Sequence, residues 1–159
     1  MTFRPKKYNF TEALQRLRRY CAYQERSHQE VRKKLWDWGF DREDTDKVCV
    51  QLIEENFLNE ERFAKAIASG KFRTKGWGKN KIVMALKSKG VSPNLVKSSL
   101  KEINEEDYRK KLLELLGKKD RTLKAEILPV RKQKLARFAL SKGYEPELVW
   151  EVIGQMLNE

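Results

Sequence analysis

The sequence is poor in several of the residues that carry chemistry: one histidine, His28, two cysteines, Cys21 and Cys49, and four prolines in 159 residues. One histidine and two cysteines without paired spacings cannot supply the four ligands of a structural zinc site. The same scarcity leaves no Ser-His-Asp constellation beyond His28 and no reactive-cysteine motif. Metal-ion nuclease chemistry needs converging carboxylates. The candidates Glu54, Glu55, Glu60 and Glu61 fall at one helix end and the next helix start, where the helix dipole and solubility explain them. A non-enzymatic protein without a cofactor is expected. There is no apolar run near the roughly 18 residues of a membrane span. The opening residues Met1 to Lys7 hold none of the apolar stretch of a secretory signal, so a cytoplasmic location is expected. In that setting Cys21 and Cys49, on different helices, read as reduced and buried.

Acidic residues are missing from one place in particular. Between Arg62 and Lys101 there is no Asp or Glu, while eleven Lys and Arg residues occur: Arg62, Lys65, Lys71, Arg73, Lys75, Lys79, Lys81, Lys87, Lys89, Lys97 and Lys101. The net charge of the whole chain is +12, so the other 119 residues are nearly neutral. Such local excess points to a surface facing a polyanion.

With 40% hydrophobic and 36% charged residues, and Leu, Ile, Val, Phe and Trp recurring at short regular spacings, the chain reads as an ordered, charged helical protein. Residues 1–8 read as a flexible basic lead-in. A first helix runs from Thr11 to about Gln24. Ser27 and Glu30 have capping-box spacing and open a second, which Gly39 ends. A third carries Val48, Cys49, Leu52 and Ile53, after a connection from Phe40 to Thr45. Asn59 caps a fourth helix with Phe63, Ala66, Ile67 and Gly70 inward. Gly76, Trp77 and Gly78 make a turn, and Lys79 to Lys89 form a fifth helix that Gly90 stops. Ser92 and Pro93 open a sixth, and Asn104 caps a seventh that ends near Gly117. After a linker from Lys118 to Leu128, helices begin at Pro129 and Pro146.

Aligning Gly39, Gly90 and Gly143 exposes a repeat. Leu35, Leu86 and Ala139 stand four residues before them, Val31, Ile82 and Leu135 eight before, and Phe40, Val91 and Tyr144 one after. Downstream, Val48, Val96 and Val149 correspond, as do Leu52, Leu100 and Ile153. The fold expected is all-α: three tandem three-helix repeats forming an elongated, curved array, in which neighbours cover faces that one unit cannot bury alone. The units are expected at 9–58, 59–103 and 104–159.

In the middle unit Phe57, Leu58, Asn59, Glu60, Glu61, Arg62, Phe63 and Ala64, then Lys71, Arg73, Lys75, Gly76, Trp77 and Gly78, then Ile82, Leu86, Lys89, Gly90 and Val91 resemble the RecX regulatory proteins of bacteria. Ala22, Glu25, Arg26, Ser27, Glu30, Val31 and Leu35 of the first unit fit as well. The resemblance covers nearly the whole chain from about Thr11 and is weakest in the third unit. It implies a monomeric regulator, usually an inhibitor, that binds the RecA recombinase filament and its single- or double-stranded DNA, lies in the filament groove, and modulates ATP hydrolysis, filament growth and strand exchange. The alternative is a general nucleic-acid-binding module without a recombinase partner.

The contact residues expected are Arg62, Lys65, Lys71, Arg73, Lys75, Lys79, Lys81, Lys87 and Lys89. A solvated charged face is the plainer reading. The lack of acidic residues inside the segment counts against it, because like charges then repel with no i,i+4 partner. For Trp77 two readings stand. In one, the Gly-flanked ring and nearby backbone N–H groups meet phosphate and base; in the other, the favoured one, the ring plugs a junction between units. Trp36, Trp38 and Trp150 are expected in core or inter-unit packing, and His28 as an exposed first-turn residue.

Overall fold

The computed structural model describes residues 5–157, which contain nine helices and no strand. In chain order these are α1 (Phe10–Tyr23), α2 (His28–Asp37), α3 (Arg42–Glu54), α4 (Glu60–Lys75), α5 (Lys79–Ser88), α6 (Pro93–Leu100), α7 (Glu105–Arg121), α8 (Leu128–Ser141) and α9 (Pro146–Met156). They fall into three successive groups of three.

The glycine repeat is a repeated helix stop. Gly39, Gly90 and Gly143 have φ of +84°, +75° and +98°, the left-handed region that a Cβ disfavours. In each case the next residue donates its N–H back to the carbonyl four positions before the glycine: Phe40 to Leu35 at 3.0 Å, Val91 to Leu86 at 3.1 Å and Tyr144 to Ala139 at 3.2 Å. The same pairs bury their side chains together, as a glycine-ended helix commonly does. The apolar pairing aligned in the sequence is therefore the side-chain half of one backbone motif.

Helix starts follow the short polar residues. Asn9 and Ser27 form reciprocal capping boxes with Glu12 and Glu30, and Asp41, Asn59 and Asn104 accept from the N–H groups of Asp44, Arg62 and Asp107. Asp41 starts α3 at Arg42, inside the expected connection and four residues before its end would have allowed, since its carboxylate already satisfies an orphan donor there. The expected linker from Lys118 is also shortened, because α7 continues through Gly117 to Arg121. Ser92 occupies the cap position of α6 without a side-chain bond.

The inward face of α4 differs from expectation. Phe63, Ala64, Ala68 and Phe72 are buried, Ala66 is exposed, and Gly70 has open space around it. Phe72, masked in the sequence by Lys71 and Arg73, extends the stripe and turns it toward Tyr108, with ring centroids 5.8 Å apart. Trp36 and Trp150 are not core residues, at 61% and 49% exposure. Each follows directly after a buried stripe residue, Leu35 or Val149, and so points off the inward face. Trp38 is half-buried against Tyr8, edge to face at 5.1 Å, and His28 is half-buried.

Two cores result. One lies within the first unit around Leu17, Leu35, Val48 and Leu52. The other runs without a break from Phe63 in the second unit to Ile153 in the third. Cys21 and Cys49 are buried, unpaired thiols of the first core. Residues 1–4 of the expected lead-in lie outside the described residues; from Pro5 the chain runs along the first unit, where Lys7 N–H donates to the Trp38 carbonyl at 2.9 Å and Lys6 pairs with Asp44 at 2.7 Å. No described helix is long and apolar enough to cross a membrane.

Candidate functional site

The turn from Lys75 to Lys79, between α4 and α5, is built into the junction between the second and third units. Gly78 N–H donates to the Lys142 carbonyl at 2.7 Å, Asn80 N–H to the Gly143 carbonyl at 2.9 Å, and Lys79 N–H to the Tyr108 hydroxyl at 2.8 Å. The Tyr144 hydroxyl closes the ring by donating to the Gly76 carbonyl at 3.0 Å. Backbone meets backbone so closely that a Cβ on Gly78 would stand 2.3 Å from the Gly143 carbonyl carbon, and one on Gly143 would stand 2.4 Å from the Lys81 Cβ. The glycines are thus required by contact. The alternative reading of this turn as a phosphate cradle fails, because the N–H groups it would use already have partners.

Trp77 lies half-buried beside that junction and packs against the shared core. Its ring is flanked by two ammonium groups, Lys81 Nζ at 4.7 Å from a ring centroid and Lys71 Nζ at 5.2 Å. Both distances suit cation–π attraction.

The nine expected contact residues divide by what holds them. Three are engaged with carboxylates from outside the Arg62 to Lys101 segment. Arg62 pairs with Glu25 at 2.5 Å, Lys65 with Glu61 at 3.1 Å and Glu102 at 3.5 Å, and Lys79 with Glu105 at 2.5 Å. The bond to Glu61 and the charge of that group raise the Lys65 pKa. Glu61, one residue before the segment begins, forms the i,i+4 pair that the segment itself could not provide. Lys79 is the most enclosed, at 18% side-chain exposure, with its Nζ 4.7 Å from the Tyr108 ring centroid.

The other six, Lys71, Arg73, Lys75, Lys81, Lys87 and Lys89, have no carboxylate partner among the described residues. Arg73, Lys75, Lys87 and Lys89 are exposed. Four free cations on α4, on α5 and at the C-cap of α5, with two more on Trp77, leave a strongly positive surface on the second unit. No three His, Cys, Asp or Glu side chains converge among the described residues in a way that could hold a metal ion. The surface is thus suited to electrostatic contact with an anion.

The residues that sequence reasoning missed are those of the third unit. Tyr108, Lys142, Gly143 and Tyr144 fix the turn from which the second-unit surface projects. One signal was present: the residue after the repeat glycine is Phe40, then Val91, then Tyr144, the only one of the three with a hydroxyl.

The sequence matches three family models: RecX, first three-helix domain, over residues 13–52; RecX, second three-helix domain, over residues 59–100; and RecX, third three-helix domain, over residues 105–153. A regulatory protein RecX of Clostridium perfringens is 35% identical over 136 residues, covering 84% of this chain and 63% of that protein. The chain thus spans less than two thirds of the length of these clostridial relatives. A regulatory protein RecX of Chlorobaculum tepidum is 29% identical over 149 residues, covering 94% of this chain and 91% of its own length. The crystal structure of RecX from Lactobacillus salivarius superposes with a TM-score of 0.86 over 94% of this chain and 97% of that one, at 19% identity. At that identity the likeness speaks for the fold.

Proposed function

The chain belongs to the RecX family, and from that premise we propose that it is a non-enzymatic regulator of the RecA recombinase, acting as an inhibitor. It binds the RecA–DNA filament in the cytoplasm as a monomer laid along the filament groove, and it lowers ATP hydrolysis, filament growth and strand exchange. The observation that carries this reading is the second-unit surface. Lys71, Arg73, Lys75, Lys81, Lys87 and Lys89 have no carboxylate partner and stand on a unit locked to its neighbour through the Gly78–Gly143 contact.

The mechanism is electrostatic and steric. Free cations meet DNA phosphate or acidic patches of the recombinase, and release of counterions favours the contact. The continuous core of the second and third units gives a stiff body, so contact at one point fixes the position of helices some distance away. A stiff body bridging neighbouring recombinase subunits opposes the rearrangement that hydrolysis requires. Arg62, Lys65 and Lys79 belong to the same surface, yet their charges are partly met within the chain. They shape the site, and the six free cations make the contact. We assign this division of roles to units at 9–58, 59–103 and 104–159.

The direct test is ATP hydrolysis by RecA on single-stranded DNA with increasing amounts of the purified chain. A dose-dependent fall in rate, lost on reversing the charges of Arg73, Lys87 and Lys89, is the expected result. An unchanged rate together with tight binding to bare DNA would favour a general nucleic-acid-binding module.

A further inference from the structure

The free positive charge does not stop at the edge of the second unit. Lys142, the residue that ends α8, reaches back to the second unit, its Nζ 3.5 Å from the Lys75 carbonyl. The same Nζ stands 5.9 Å from the centroid of the Phe138 ring, and Lys119 Nζ approaches that ring from α7 at 5.5 Å. Phe138, Lys119 and Arg137 also line a surface depression of about 360 Å3, with Lys134 and Ser141 completing it.

The carboxylates nearby are committed elsewhere. Glu126 pairs with Lys134 at 2.6 Å, and Asp120 takes the guanidinium of Arg131 at 2.8 Å. Lys119, Arg137 and Lys142 have no carboxylate partner among the described residues. Part of this placement has a structural cause. Lys75 and Lys119 lie in the last turns of α4 and α7, and Lys142 ends α8, where cations offset the negative ends of helix dipoles. That account does not reach Arg137, which is exposed a full turn before the end of α8. Nor does it explain why Lys119 and Arg137 line one depression, with Lys142 bridging from its Phe138 ring to Lys75.

We propose that Lys119, Arg137 and Lys142 form a second anion site, on the third unit, that binds phosphates of a nucleic-acid strand and continues the second-unit surface across the junction. It rests on the reading that the second-unit surface faces nucleic acid. The two ammonium groups lie by the Phe138 ring, the one aromatic side chain among the residues lining the depression, so the ligand the site suits is the phosphodiester backbone. Because the junction is held by backbone hydrogen bonds, the two sites keep one spacing and engage a strand together. Contact of this kind is independent of base sequence.

The test is the salt dependence of binding to a labelled DNA duplex of arbitrary sequence, without recombinase. Each phosphate contact contributes about 0.9 to the slope of log affinity against log salt. The double variant Lys119→Gln, Arg137→Gln is expected to lower that slope by about 1.8, with the thermal unfolding midpoint unchanged. The control Lys33→Gln, Lys47→Gln removes the same charge from the first unit and is expected to leave the slope near that of the unaltered chain. Equal slopes for the double variant and the control, or no duplex binding by the unaltered chain, would overturn the proposal. If the double variant keeps its slope and still slows the recombinase, the third-unit site is wrong and the proposed function stands. If it loses slope while the unaltered chain never slows the recombinase, the site stands and the function is wrong.

Discussion

Arg62 of α4 and Glu25 of the α1–α2 connection meet across the boundary between the first and second units, Nε to Oε1 at 2.5 Å. The same guanidinium donates to the Asn56 side chain at 3.2 Å and to the carbonyls of Asn56 and Phe57 at 3.0 and 3.3 Å. Asn56 sits in the left-handed region at φ +63°, a conformation in which a non-glycine residue is uncommon. One side chain thus binds the end of the first unit, the connection and the start of the second. The other oxygen of Glu25 is buried without a partner among the described residues, so within them the carboxylate depends on Arg62.

Replacing Arg62 by Ala should therefore act on stability before it acts on binding. Hydrogen bonds to charged groups contribute about 1.5–3 kcal/mol when enclosed, and partial exposure of this pair places the expected loss near the lower end, about 1–2 kcal/mol. Lys should rescue little, because it lacks the planar fork. Urea unfolding gives the loss directly. An unchanged midpoint with a large fall in DNA affinity would make Arg62 a contact residue instead.

The Tyr108 hydroxyl sits between the Lys79 N–H and the Glu145 carboxylate. Tyr108→Phe leaves both without that partner and should cost about 1–3 kcal/mol, read as a lower denaturant midpoint. Its effect should appear in the second and third units, with hydrogen exchange in α1 to α3 unaltered. Uniform loss of protection through all nine helices would contradict the separate core of the first unit.

Two glycines at the same repeat position should respond differently to alanine. Gly90 has open space around it, so Gly90→Ala meets only the strain of positive φ, about 1 kcal/mol. Gly143→Ala adds a Cβ 2.4 Å from Lys81 Cβ and 2.5 Å from its backbone nitrogen, and α5 must move away. A loss more than twice that of Gly90→Ala is expected in thermal unfolding. Similar losses would mean that the junction yields easily.

Alkaline pH should loosen the fold through its buried acids. Burial pushes the Cys21 thiol up from 9.0 to about 11, and it raises Cys49 as well. Tyr108 and Tyr144 are raised from 10.0, both mainly by burial, Tyr108 also by its bond to Glu145. All four hold their protons longer folded than unfolded. Their contribution is complete below the unfolded values and declines as pH rises from about 9 toward the folded ones. Denaturant midpoints should be flat up to about pH 8 and fall steadily from about pH 9 to 11. Tyr108→Phe should make the fall shallower; a midpoint constant to pH 11 would contradict the burial of these groups.

What the sequence disclosed followed the distance over which each feature is determined. Caps at Ser27, Asn59 and Asn104 and the three glycine stops depend on residues within a few positions, and they were readable. So was the three-unit plan, since repetition itself marks it. The basic face was readable as a charge excess but not in its detail. Arg62 looks like any basic residue until Glu25, 37 positions earlier, is brought against it. The turn around Trp77 left a phosphate cradle open beside the favoured junction plug for the same reason: Gly143 and Tyr144, which occupy the turn, lie more than sixty residues on. The inward face of α4 was misjudged because Phe72 stands between two cations, and only its contact with Tyr108 shows which way the helix turns.

Binding of a RecA filament by the free cations of the second unit, as proposed above, is read most directly from the affinity of the chain for preformed filament and for the same DNA alone. The unaltered chain should prefer the filament, and reversing Arg73, Lys87 and Lys89 should abolish that preference while the far-ultraviolet circular dichroism stays the same. Equal affinity for filament and bare DNA, or full filament binding by the reversed chain, would contradict the account.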